Sequence, residues 1–198
     1  MADGNDLAQL DDAQRKHLLE VAAAVIRATV TGAGTAAGVA DELAGLEVDG
    51  CFASLHAGKE LRCCCGRIGR GQRLGPTLVG AAQVACRDTR FRPLEAGELD
   101  GLELEVSLLF AWTTATVPPA GRPEIVEVGT HGLLLRRGYH SGLLLPVVGR
   151  DYGWSPVEFL DATCRKAGLP PGAWRDADVE LETFKALEIA GLFGKCRS

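Results

Sequence analysis

Leu102-Glu103-Leu104-Glu105-Val106-Ser107-Leu108-Leu109-Phe110 is the stretch that decides the fold. Leu102, Leu104, Val106, Leu108 and Phe110 alternate with Glu103, Glu105 and Ser107, which is the pattern of a strand buried on one face only. Upstream, Cys51-Phe52-Ala53-Ser54-Leu55 reads as a short strand and His56 to Lys59 as a turn. Leu61 then opens a second arm, so the pair predicts a hairpin ending at Cys63-Cys64-Cys65. Downstream, Ile125 to Val128, His131 to Arg137 and Ser141 to Val148 read as strands, the last two joined across Gly138-Tyr139-His140. Val179 to Phe184 predicts a final strand.

Helices stand between these groups. Asp11 with Gln14 has capping-box spacing before Leu18, Val21, Ala22, Val25 and Ile26, and Gly32 supplies the stop. Pro76 is read as opening a helix that ends near Asp88. Ser155-Pro156-Val157-Glu158 is a second capping box, and Gly168 ends the helix that follows it. Gly66 to Gly75 is too rich in glycine to predict a regular element. Strands in antiparallel groups with helices between them predict an α+β fold, helices packed on a mainly antiparallel sheet. The fold is expected as one lobe, or as two lobes with a cleft between them. Residues 1–10 are read as a flexible lead, 11–190 as the domain and 191–198 as an exposed tail.

The 198 residues, 46% hydrophobic and 24% charged, suit a globule with a core of its own. No apolar run approaches the roughly 20 residues a bilayer requires, and the acidic N-terminus is unlike a signal peptide. A cytoplasmic protein without membrane contact is the expectation. Seven cysteines, three of them adjacent, do not make a disulfide framework. Charge is unevenly placed. Between Leu61 and Pro93 stand seven arginines against Asp88 alone, in a chain whose net charge is −5. Such a segment serves as an anion site or pairs with the acids that follow it, Glu95, Glu98, Asp100, Glu103 and Glu105. It has no lysine and only Phe91 for stacking, which argues against nucleic acid as the partner.

On an extended backbone Arg62, Cys64 and Gly66 face one way, and Leu61, Cys63 and Cys65 the other, with Leu61 marking the core side. Cys64 beside the Arg62 guanidinium is then a candidate thiolate nucleophile. The plain alternative is a small buried hydrophobe, the usual condition of a free cysteine. His131, before a glycine at a strand start, is a candidate base or a partner of its own turn. Asp88 and Arg90 are either a clasp fixing the turn into Phe91 or part of an anion site with Arg62. Gly66, Asp88, Arg90 and Ser141 are the candidate ligand-binding positions. No metal site is expected, since no Cys-x-x-Cys occurs. Gly32, Gly34 and Gly38 miss the dinucleotide spacing, and the glycine-rich run lacks a Walker ending, so no cofactor is expected.

Several segments carry a family resemblance. Leu61-Arg62-Cys63-Cys64-Cys65-Gly66 resembles the Leu-Arg-Gly-Cys-Ile-Gly signature of the AMMECR domain family. That family is named after the chromosomal region of Alport syndrome, mental retardation, midface hypoplasia and elliptocytosis; its bacterial members are called protein A of the AmmeMemoRadiSam system. Asp88 to Leu94, Glu105-Val106-Ser107-Leu108-Leu109, Gly129-Thr130-His131-Gly132-Leu133, Leu143 to Pro146 and Trp154 to Trp174 are similar to further family segments, in the family's order. Cys63 and Cys65 stand where the family has Gly and Ile, and Val147 where it often has Gln. The resemblance implies Memo-type and radical-SAM-type proteins as partners in a shared modification pathway. Two function classes follow. One is a catalytic component using Cys64 as nucleophile, Arg62 as clamp on a small anionic ligand and His131 as base. The other is a non-catalytic regulatory module whose Arg62 to Arg92 segment binds a partner protein or RNA.

Overall fold

The computed structural model describes residues 5–34, 43 and 45–196. Six strands form one sheet: β1 (Glu47–Ala57), β2 (Glu60–Arg73), β3 (Glu103–Thr114), β4 (Gly132–Arg137), β5 (His140–Leu144) and β6 (Glu180–Leu192). Their order is β2-β1-β3-β6-β4-β5. The pairs β1/β2, β1/β3, β4/β5 and β4/β6 are antiparallel, so the α+β expectation holds. Among the described residues five helices accompany them: α1 (Asn5–Ala8), α2 (Asp12–Thr31), α3 (Leu74–Ala85), α4 (Pro146–Asp151) and α5 (Pro156–Lys166). Among the described residues no helix is long and apolar enough to cross a membrane.

The chain divides into two compact units, Met1–Phe110 with Leu187–Ser198, and Ala111–Ala186. In the first, α2 and α3 cover one face of β1, β2 and β3. Leu18, Val21, Ala22, Val25 and Ile26 of α2 and Leu78, Ala81, Ala82 and Ala85 of α3 meet Cys51, Ala53, Leu55, Cys63, Leu104, Val106 and Leu108 there. In the second, Phe159, Leu160 and Cys164 of α5 pack on Leu133 and Leu135 of β4 with Leu181 and Trp174. The Trp174 indole donates to Asp161 at 2.8 Å, which also accepts from Gly172 N–H, tying the loop after α5 back to the helix.

Both capping boxes form: Asp11 with Gln14 opens α2, and Ser155 with Glu158 opens α5. Other expectations are corrected. The glycine-rich run is mostly strand, because cross-strand pairing to β1 carries β2 on to Arg73, with one break of register between Ile68 and Gln72. Consequently α3 starts at Leu74, with Pro76 in the first turn, where its missing N–H is not needed. Ile125 to Val128 is no strand; Ile125 ends a 3-10 turn that begins at Pro119. The strand from Ser141 stops at Leu144, since Pro146 takes the first position of α4. At the ends, Leu7 and Leu10 of the expected lead lie in the first core, and Phe193 of the expected tail is fully buried.

Candidate functional site

The β1/β2 pair runs from Ala57↔Glu60 to Glu47↔Arg73, with register shifts between Val48 and Gly50 and between Leu55 and His56. At the second shift Leu55 stands opposite Cys63 while His56 stands opposite Leu61, so Arg62 is the extra residue of a β-bulge. The bulge breaks the strict alternation expected of Leu61 to Gly66. Cys63 is buried and Cys65 packs against the same core, as read from the sequence, but Leu61 lies beyond the bulge and is 38% exposed.

Arg62 is thereby turned toward the segment after α3. Its Nε and Nη2 donate to the two carboxylate oxygens of Glu98 at 2.9 Å each, and Nη1 and Nη2 donate to the carbonyls of Arg92 and Pro93 at 2.8 Å. Arg92 in turn donates to Glu95 and Glu98. The Arg62 side chain is only 10% exposed, so this guanidinium is a fastener for residues 92–98. Burial raises the Glu98 pKa and Arg62 outweighs it, holding the carboxyl below its ordinary value.

At Cys64 the cation is Arg90. Asp88 accepts from the Cys64 N–H at 2.9 Å, and Arg90 Nη2 donates to the Cys64 carbonyl at 2.6 Å. Arg90 closes the arrangement by donating to both Asp88 oxygens, at 2.9 and 2.7 Å, so the clasp foreseen for this pair exists. It grips Cys64 as well as the turn into Phe91, over whose ring the guanidinium lies, 5.5 Å from the centroid. The Arg90 donations hold the Asp88 carboxyl far below the ordinary carboxylate range, against the opposing effect of burial. Burial is also what sets the Cys64 thiol. It raises the pKa above 9.0, Arg90 lowers it by less, and Cys65, Glu105 and Asp88 add to the rise. At this cysteine burial outweighs the nearby guanidinium, a shift opposite in direction to the one a neighbouring arginine alone would give.

The registers of β1 with both neighbours place a polar row across the sheet. Ser54 stands opposite Cys64 on β2 and opposite Glu105 on β3, and the next row is Gly66, Phe52 and Ser107. Alternation puts all six on the face turned away from α2 and α3. Ser107 Oγ donates to Glu105 at 3.4 Å. Gly66 is required by close approach: a Cβ there would sit 2.3 Å from the Cys51 carbonyl oxygen and 2.5 Å from the Phe52 ring. Ser54, Phe52, Glu105 and Ser107 were not singled out from the sequence. The signal was present, since Glu105 and Ser107 form the polar alternation of the β3 stretch, but their alignment with Cys64 is a matter of register.

His131 and Ser141 belong to the second unit. His131 Nδ1 accepts from the Glu127 N–H at 3.1 Å, and the His131 N–H donates to the Glu127 carbonyl at 2.8 Å, so the ring fastens its own turn. With Nδ1 accepting, the neutral ring carries its proton on Nε2. His131 also lines an open cavity of about 310 Å³ with Thr113, Thr114, Thr116 and Thr183. Ser141 is exposed on β5 opposite Arg136. Among the described residues no group of three or more His, Cys, Asp and Glu could hold a metal ion.

The model of the AMMECR1 family matches residues 19–189. A protein of Aquifex aeolicus is 44% identical over 108 residues, covering 54% of this chain and 55% of its own length. A Thermococcus kodakarensis protein is 46% identical over 110 residues, 56% of this chain and 54% of the relative. The chain thus spans about half the length of these curated relatives. The crystal structure of an uncharacterised Pyrococcus horikoshii protein superposes with a TM-score of 0.79 at 34% identity, covering 90% of this chain and 92% of that one.

Proposed function

Because the chain belongs to the AMMECR1 family, we propose that it is a thiol-bearing component of the modification pathway associated with that family, with Memo-type and radical-SAM-type proteins as its partners. The observation that carries the proposal is the row Cys64, Ser54, Glu105 on one face, with the Cys64 backbone held at both N–H and C=O. Cys64 is the reacting group and starts from the neutral thiol. When its sulfur attacks an electrophile, the thiol proton leaves toward Glu105, the carboxylate in the same row, with the Ser54 hydroxyl between them. Arg90, whose side chain is 51% exposed, is the cation available to an anionic ligand. Arg62 positions the 92–98 segment. His131 takes no step in this proposal.

The alternative, a binding module built on the Arg62 to Arg92 segment, is supported less, because Arg62 and Arg92 are engaged by Glu98 and Glu95. The test is iodoacetamide labelling followed by mass spectrometry across pH. Cys64 should label ahead of the buried Cys51, Cys63 and Cys164, with a midpoint above that of an ordinary thiol. Glu105→Gln should lower that midpoint and Arg90→Ala should raise it. A Cys64 left unlabelled in the native protein while Cys196 reacts, or a midpoint indifferent to Glu105, ends the proposal.

A further inference from the structure

β2 is the outermost strand at its end of the sheet order, and its outer edge changes character along its length. At Cys64 the N–H and C=O point away from β1 and are taken up by Asp88 and Arg90, whose side chains do there what a neighbouring strand's backbone would do. The register with β1 is unbroken from Leu55↔Cys63 to Cys51↔Arg67 and on to Gly50↔Ile68. Outward groups recur at every second residue of an antiparallel strand, so Gly66 and Ile68 also turn N–H and C=O away from β1. Among the described residues neither finds a hydrogen-bond partner on that side.

Proteins ordinarily block such an edge with bulges, prolines or charged side chains folded over it. In β2 the blocking devices are the Arg62 bulge and the Asp88–Arg90 clasp, and both stop short of Gly66. Gly66 has no side chain to cover the edge, and the Phe52 ring lies directly beneath it. Ile68 next to it is 43% exposed, one of the few large apolar side chains that are. Guanidinium groups flank the open stretch. Arg90 stands at the Cys64 end, and Arg67 lies on the helix side, along Gly80 of α3. Arg73 follows at the far end, opposite Glu47.

We propose that the edge from Gly66 to Ile68 receives an extended, acidic polypeptide segment as an added strand, and that this segment presents the group on which Cys64 acts. The last part rests on the reading of Cys64 as the reacting thiol. Backbone pairing with Gly66 and Ile68 supplies affinity, and alternate side chains supply selectivity. On the helix side those side chains meet Arg67, which selects carboxylates. On the other side they run along the face that carries Cys64 and the Phe52 ring, where the residue that is modified is presented.

The probe is a fluorescein-labelled, acetylated heptapeptide of alternating valine and glutamate, titrated with the full chain by fluorescence anisotropy, against the same peptide with lysine for glutamate. The acidic peptide should bind, the lysine peptide should not, and the acidic one should slow alkylation of Cys64 but not of Cys196. Ile68→Pro removes only an outward N–H and should weaken binding about tenfold, the scale of one lost backbone hydrogen bond with its strand geometry. Should the proline variant fail to fold, Arg67→Glu is the second variant, and should reverse the preference between the two peptides. Equal binding of both peptides, binding of neither, or affinity untouched by Arg67→Glu overturns the inference. Dimerisation abolished by Ile68→Pro would overturn it in favour of a second copy of this chain, and salt-dependent RNA binding lost in Arg67→Glu in favour of nucleic acid. Peptide binding without any Cys64 labelling would sink the thiol reading and keep the docking edge; labelling without peptide binding would do the reverse.

Discussion

The molecule contains two hairpins closed alike and finished differently. β1/β2 turns through Gly58-Lys59 and β4/β5 through Gly138-Tyr139, each with the first loop residue a glycine of positive φ, 63° and 57°. Each second arm also carries an interior glycine that a Cβ would not fit. In β5, Gly142 admits the end of α5, where an added Cβ would lie 2.4 Å from the Ala167 nitrogen. In β2, a Cβ on Gly66 would meet the paired strand instead, 2.3 Å from the Cys51 carbonyl oxygen and 2.5 Å from the Phe52 ring, and no helix among the described residues stands within reach of it. The same substitution of hydrogen for a side chain thus closes one strand under its own chain and leaves the other available. It follows that a strand glycine identifies close approach, while only its neighbours say whether the approach is internal or awaits a partner.

The largest effect is expected where the nearest atoms are all backbone. Gly142→Ala should cost about 3 kcal/mol in urea unfolding, because Ala167 cannot move without displacing α5. Gly66→Ala should cost less, about 2 kcal/mol, since part of its clash is with the half-buried Phe52 ring; Phe52→Ala in that background should recover some of the loss. A larger loss at Gly66 than at Gly142 would break the comparison.

Next comes the clasp. Asp88→Asn should cost about 2 kcal/mol at neutral pH, a buried-pair value discounted for the exposure of Arg90. The sign with pH is definite. A carboxyl depressed in the folded state contributes fully above its unfolded pKa of about 3.9 and loses that contribution as pH falls through and below it. The gap between wild type and variant should therefore be constant from pH 7 to about 5 and narrow below about 4. A gap that widened in acid would show that Asp88 does not hold Cys64 as described.

The smallest effect belongs to the signature cysteines. Cys63→Gly with Cys65→Ile restores the family pattern and should shift stability by about 1–2 kcal/mol with the fold intact. Cys63 occupies an ordinary strand position, Ala111 being the sole non-glycine residue of positive φ among those described, so glycine is not needed there for its backbone freedom. A shift much beyond that range would mean that the cysteine has changed how β2 packs on α3.

What the sequence determined by itself was local: the alternation of Leu102 to Phe110, the two capping boxes, the hairpin turns and the family, each set by residues within a few positions of one another. It foresaw the Asp88–Arg90 clasp for the same reason, the two residues being two apart. It misjudged Gly66 to Gly75, because glycine's weak preference for strands says nothing of the partner that enforces pairing. Leu61 failed for a related reason, since a bulge at Arg62 is visible only against β1. The polar row of Cys64, Ser54 and Glu105 joins three strands distant in the chain, and the partner of each arginine likewise depends on which acid the fold brings near. Those were decided by tertiary structure, because register and charge pairing are relations between segments, and a side chain's neighbours across a sheet are written in no single stretch.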